Sequence, residues 1–128
     1  MDMSFSYKPV LLKAMMRYAD ENGCVALEDI VDYFKEYYEG RAAAGLVVEK
    51  PSSIFAKGGY TDKDVEKNIL ANPFKRFADM RFFQRCKDVT MVRFNPWIFK
   101  KLTIDDFKWI HKICDQKLEE YYARVSHS

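Results

Sequence analysis

Eight basic side chains lie between positions 75 and 101: Lys75, Arg76, Arg81, Arg85, Lys87, Arg93, Lys100 and Lys101. Only two acids, Asp79 and Asp88, share that stretch, so it carries +6 in a chain whose net charge is +2. The flanking segments are therefore net acidic, and the positive charge is concentrated rather than spread. Cations gathered this way do one kind of chemistry well. They displace condensed counterions from a row of phosphates, and the released ions drive binding. Arginine adds a planar fork that meets a phosphate or a guanine edge with two bonds, whereas lysine acts as a point charge. The competing reading is a solvated basic face that balances acidic helices elsewhere.

Other chemistry finds little to build on. Lys57-Gly58-Gly59 places a lysine beside glycines but lacks the order of a phosphate-binding loop, so it reads as a flexible turn. The two histidines, His111 and His127, are too far apart for a zinc site or a histidine-based triad. Cys24, Cys86 and Cys114 form no C-x-x-C pair and read as three small buried apolar residues. Asp105-Asp106 reads as a helix cap and Glu119-Glu120 as a solvated helix face. Tyr37-Tyr38 and Tyr121-Tyr122 each suggest one ring in the core and one at its rim, with base stacking as the alternative. Trp97 and Trp109 are expected as core anchors. No catalytic motif and no cofactor-binding motif is visible, so the sequence predicts neither an enzyme nor a cofactor.

The elements that would position the basic segment follow from periodicity and punctuation. A first helix is expected from Ser6, with Pro9 in its opening turn and Asn22-Gly23 at its end. Cys24 to Leu27 is a short extended piece. A second helix opens on Glu28-Asp29 and carries the stripe Ile30, Val31, Phe34, Tyr37 and Tyr38 to about Ala44. Residues 45–60 read as a long, locally mobile loop. Thr61–Asp64 is a capping box for a third helix, and Asn72-Pro73 restarts a short fourth one with Phe74 and Phe77 inward. Arg81–Cys86 and Thr90–Phe94 form a hairpin signal, in which alternation would put Arg81, Phe83 and Arg85 on one face. Asn95-Pro96 starts another helical turn. Thr103–Asp106 caps a terminal helix bearing Phe107, Ile110, Cys114, Leu118 and Tyr121, with Ser126-His127-Ser128 frayed beyond it.

This order predicts a mainly α protein with a small β-hairpin, an α+β class, arranged like a winged helix. The short strand after the first helix would join the hairpin as a third strand. Residues 73–80 would be the recognition helix and 81–94 the wing, so the basic segment would coincide with both. The runs Phe5–Ala14, Glu28–Phe34 and Asn72–Phe77 resemble an accessory domain of bacterial helicase- or restriction-type DNA-processing proteins, over about residues 4–122. That resemblance implies DNA-linked work beside a larger helicase or nuclease partner, and it carries over no catalytic residue.

Hydrophobic residues at 48% and aromatics at 16% exclude a disordered chain and predict a Phe- and Tyr-rich core. One domain over residues 4–125 is expected. No apolar run reaches membrane-spanning length, and Met1-Asp2-Met3-Ser4 is not a signal start, so the chain is expected to be cytoplasmic. The leading functional expectation is binding of duplex DNA through the eight cations named above. The alternative is a protein-interaction module that uses the 46–60 loop or the aromatic helices.

Overall fold

A computed structural model of the chain describes Met1 and residues 3–126. Of the tail expected to fray, Ser126 is instead the last residue of the terminal helix, and residues 127–128 lie outside the described residues. The elements run α1 (Tyr7–Tyr18), β1 (Cys24–Ala26), α2 (Leu27–Ala43), α3 (Ile54–Lys57), α4 (Asp62–Ala71), α5 (Pro73–Asp79), β2 (Phe83–Arg85), β3 (Met91–Phe94), α6 (Pro96–Phe99) and α7 (Ile104–Ser126). The chain is thus mainly helical with one small antiparallel sheet of order β1-β3-β2. The short strand after α1 does join the hairpin: Cys24, Val25 and Ala26 stand opposite Arg93, Val92 and Met91.

Both capping boxes form. Thr61 and Asp64 exchange side-chain and backbone bonds at 2.9 and 3.1 Å, and Thr103 and Asp106 do the same. Each satisfies two N–H groups that a helix start otherwise leaves open. Asn95 caps α6 by accepting the Trp97 N–H at 2.9 Å. Asn72 does not cap α5; its side-chain amide donates back to Asn68 Oδ1 instead. The first helix stops at Tyr18, one turn before the expected Asn22-Gly23, because Asp20 builds the turn itself. Asp20 Oδ1 accepts the N–H groups of Cys24 and Asn22, and these bonds hold its carboxyl below the usual range. Gly23 sits at φ 78°, and a Cβ there would stand 2.8 Å from the Phe99 ring. Glycine is required at this corner both by conformation and by the approach of α6.

The core is a continuous apolar cluster. Val10, Leu11, Ala14 and Met15 of α1 meet Ile30, Val31 and Phe34 of α2, Val65 and Ile69 of α4, and Phe74 and Phe77 of α5. The sheet adds Val25, Phe83, Val92 and Phe94, and α7 adds Leu118, Tyr121 and Tyr122. Three expectations about side chains are corrected. Trp97 and Trp109 are not core anchors but surface residues, 68% and 61% exposed. Tyr121 and Tyr122 are both buried, whereas Tyr38 is buried with Tyr37 at the rim. Only Cys114 is a buried thiol; Cys24 and Cys86 are half-exposed.

The 45–60 segment is not a free loop. It carries α3, whose Phe55 is buried and stacks on Tyr38 with centroids 4.2 Å apart. Ahead of it, the Glu49 side chain is buried. Its carboxylate accepts the Ser6 N–H at 2.8 Å, the Ser6 hydroxyl, the Tyr121 hydroxyl and the Lys50 N–H. With its proton committed to Glu49, Ser6 Oγ is left to accept from Tyr38 at 2.7 Å. Tyr122 completes the network by donating to the Val48 carbonyl at 2.7 Å. The network joins the start of α1, the loop, α2 and the end of α7.

Two outcomes follow. Glu49→Ala strips a buried acceptor from four donors, and an unmade buried hydrogen bond costs about 1–3 kcal/mol, so urea unfolding should show a loss of about 3 kcal/mol or more. Glu49→Gln keeps one acceptor oxygen and should lose less. The second outcome concerns pH. Burial pushes the Cys114 thiol up to about 11 and raises the Tyr38, Tyr121 and Tyr122 hydroxyls as well. Groups raised in the folded state keep their full contribution below the unfolded value and lose it as pH climbs through the folded one. Stability should therefore hold up to about pH 9 and fall from there to about pH 11, with Cys114→Ala removing part of that fall; urea melts at stepped pH read this directly.

Candidate nucleic-acid interface

The basic segment begins on α5, where Phe74 and Phe77 face the core and leave Lys75 and Arg76 outside. Lys75 pairs with Asp79 one turn on, at 3.0 Å, and both are well exposed. Such an exposed pair is worth little, and the lysine-first order is the weaker one. Arg76 stays exposed. Arg81 takes a left-handed conformation at φ 63°, and its carbonyl accepts the Asn95 side-chain amide at 2.9 Å. It therefore precedes the strand rather than belonging to it. Phe83 is 2% exposed, under the sheet. The expected face of Arg81, Phe83 and Arg85 is corrected accordingly: Phe83 belongs to the core, and the left-handed turn at Arg81 breaks the alternation.

The hairpin pairs Phe83 with Phe94, Gln84 with Arg93 and Arg85 with Val92. Arg85 ends the edge strand β2 and is exposed. Lys87 lies exposed in the connecting turn. Its neighbour Asp88 is occupied by the Thr90 N–H and hydroxyl at 2.9 and 2.6 Å, and these bonds lower its carboxyl pKa. The turn acid is thus consumed in shaping the turn.

Arg93 is placed differently from the rest. It is half-buried on the outer side of the sheet, and its Nη2 donates to the Asn22 carbonyl at 3.0 Å. Its task in the fold is to tie β3 to the α1–β1 corner. Lys100 lies over the Trp97 ring at 3.7 Å, a cation–π contact on the surface, and Lys101 is exposed beside it. Among the described residues, Arg76, Arg81, Arg85, Lys87 and Lys101 take part in no ion pair.

The surroundings are polarised. On the other flank of the hairpin a cleft of about 500 Å3 between α2 and α4 is lined by Glu28, Asp32, Asp62 and Glu66, with Lys63 beside them. A phosphate chain would be repelled there. Behind the hairpin, Phe77, Phe82, Phe83, Phe94, Ile98, Leu102 and Ile110 line an apolar cleft of about 260 Å3. Sequence reading missed this cleft, because each of its residues looks like ordinary core in its own element. It also missed the Glu49 network, since a lone glutamate in a loop gives no signal. Among the described residues no group of three or more His, Cys, Asp and Glu could hold a metal ion. No described helix is long and apolar enough to cross a membrane.

The different placements separate structural from surface cations. Arg93→Ala should lower stability by about 1.5 kcal/mol or more, as a lost hydrogen bond from a charged group does, whereas Arg85→Ala and Lys87→Ala should stay within about 0.5 kcal/mol of the parent. Urea midpoints of the three variants check this. Comparison with protein-family models, with curated proteins and with solved structures finds no match to this chain.

Proposed function

We propose that the chain is a winged-helix-like module that binds duplex nucleic acid through α5 and the β2–β3 hairpin. The observation that carries this reading is the set of exposed cations that, among the described residues, have no carboxylate partner along α5, β2 and the turn: Arg76, Arg81, Arg85 and Lys87. The element order supports it, because α1, β1, α2 and the later helix pair precede a hairpin that β1 closes into a three-stranded sheet. In that arrangement the helix before the hairpin enters a groove and the hairpin lies along the backbone. Lys101 and, once free of Trp97, Lys100 add backbone contacts at the start of α7. Lys75 and Arg93 contribute less, being engaged within the fold. The resemblance of the Asn72–Phe77 turn and the α1 and α2 starts to DNA-processing accessory domains fits a larger helicase or nuclease as the working partner.

A protein-interaction module is the second reading. The apolar cleft behind the hairpin favours it, with the exposed Phe82 on its rim.

Anisotropy of a fluorescent random-sequence duplex, from about 25 to 200 mM salt, separates the two. The proposal expects micromolar or tighter binding that weakens steeply with salt. Replacing Arg85 and Lys87 together by alanine should weaken it roughly tenfold and flatten the log–log salt slope by about two, near one unit per phosphate contact. No binding at the lowest salt, or a double variant indistinguishable from the parent, would remove the nucleic-acid reading and leave the protein partner.

A further inference from the structure

A second basic feature extends beyond the segment 75–101, where the first turns of α1 and α5 face one another and Lys8 joins Arg76. These turns enclose a cleft of about 160 Å3 whose walls include Ser4, Phe5, Tyr7, Lys8, Asn72 and Arg76. Lys8 stands on the α1 side with its stem half-buried, and Arg76 stands on the α5 side. Among the described residues neither belongs to an ion pair. A third cation is held close by. Lys50 donates to the Ser4 carbonyl at 2.5 Å, and its Nζ lies 5.2 Å from the Phe5 ring centroid.

Among the described residues, the two acids nearest these cations in sequence are engaged elsewhere. Glu49, adjacent to Lys50, is turned inward onto Ser6 and Tyr121. Asp79, one turn along α5 from Arg76, is paired with Lys75. Phe5 and Tyr7, two of the lining residues, stack their rings at 4.9 Å with 4° between their planes. Two cations lining one cleft attract an anion placed between them. A lysine point charge facing an arginine fork suits a phosphate group. Arg76 is common to the cleft and to the outer side of α5, so the two surfaces are continuous.

We propose that this cleft binds one backbone phosphate of the nucleic acid, held between Lys8 and Arg76. The footprint then runs from the hairpin over α5 to the start of α1, away from the acidic α2–α4 cleft. The proposal rests on the nucleic-acid reading above, and Lys8 is its test residue because it plays no part in that reading.

The same duplex titration, on the full chain, compares the parent with Lys8→Met and Lys8→Arg. Methionine keeps the apolar stem and drops the charge; arginine restores it. Thermal melting of each variant confirms that the fold is retained. Lys8→Met should weaken binding about five- to tenfold and reduce the log–log salt slope by about one, and Lys8→Arg should return both to the parent values. If Lys8→Met matches the parent in affinity and slope while the Arg85 and Lys87 double variant loses binding, the cleft proposal is wrong and the hairpin reading stands. If the parent itself does not bind, both are wrong.

Discussion

The buried carboxylate of Glu49 is the constraint on which the arrangement depends. A carboxylate removed from water is tolerated only when its lone pairs are filled. Here they are filled by donors from three distant parts of the chain: Ser6 before α1, Lys50 in the loop and Tyr121 near the end of α7. Because every donor is specific in position, the network admits one docking of α7 across α1. It also converts residues 46–53 from a connection into a structural strap. Arg41 reinforces the strap by donating to the Val47 carbonyl while its guanidinium covers the Tyr122 ring. Apolar packing alone would hold α7 in place with less selectivity, since it is indifferent to small slides along a helix axis.

The strap matters for the surface as well as for the core. By turning Glu49 inward it removes a negative charge from the side where Lys8, Lys50 and Arg76 gather. The same logic recurs at the hairpin turn, where Asp88 is bound to Thr90, and at α5, where Asp79 is bound to Lys75. The acids nearest the basic segment are thus committed to local bonds, while four others, Glu28, Asp32, Asp62 and Glu66, line the cleft between α2 and α4. Charge separation on this protein comes from how individual acids are used, and the small net charge conceals it.

Closure of the sheet decides which cations face outward. Pairing of β1 with β3 fixes the outer face, on which Arg93 lies against the α1–β1 corner and bonds Asn22. Arg85, on the other edge strand, stays in solvent. Two arginines of one hairpin therefore have different tasks, one holding the corner and the other available to a partner. Gly23 makes the corner possible by letting Phe99 of α6 pack directly on the backbone.

Local signals were legible in the sequence wherever the physics is local. Thr61, Asp64, Thr103 and Asp106 declared their capping boxes, Asn95-Pro96 its helix start, and the spacing of Ile30, Val31, Phe34 and Tyr38 its buried face. The clustering of cations between 75 and 101 was likewise readable, because charge density along a chain needs no coordinates. What could not be read depends on residues far apart in sequence. Neither Glu49 nor Ser6 carries a mark of its partner 43 positions away. Trp97 and Trp109 look like anchors by type, yet both stand exposed while Phe94, Phe99 and Phe107 pack together. Lys8 and Arg76 become neighbours only when α1 and α5 pack. The sequence by itself determined most of the elements, the capping boxes and the clustering of charge, since these arise from interactions within a few residues. Tertiary structure alone decided which polar groups are buried, which cations remain unpaired and where they converge, because those outcomes depend on which side chains compete for the same space and the same partner.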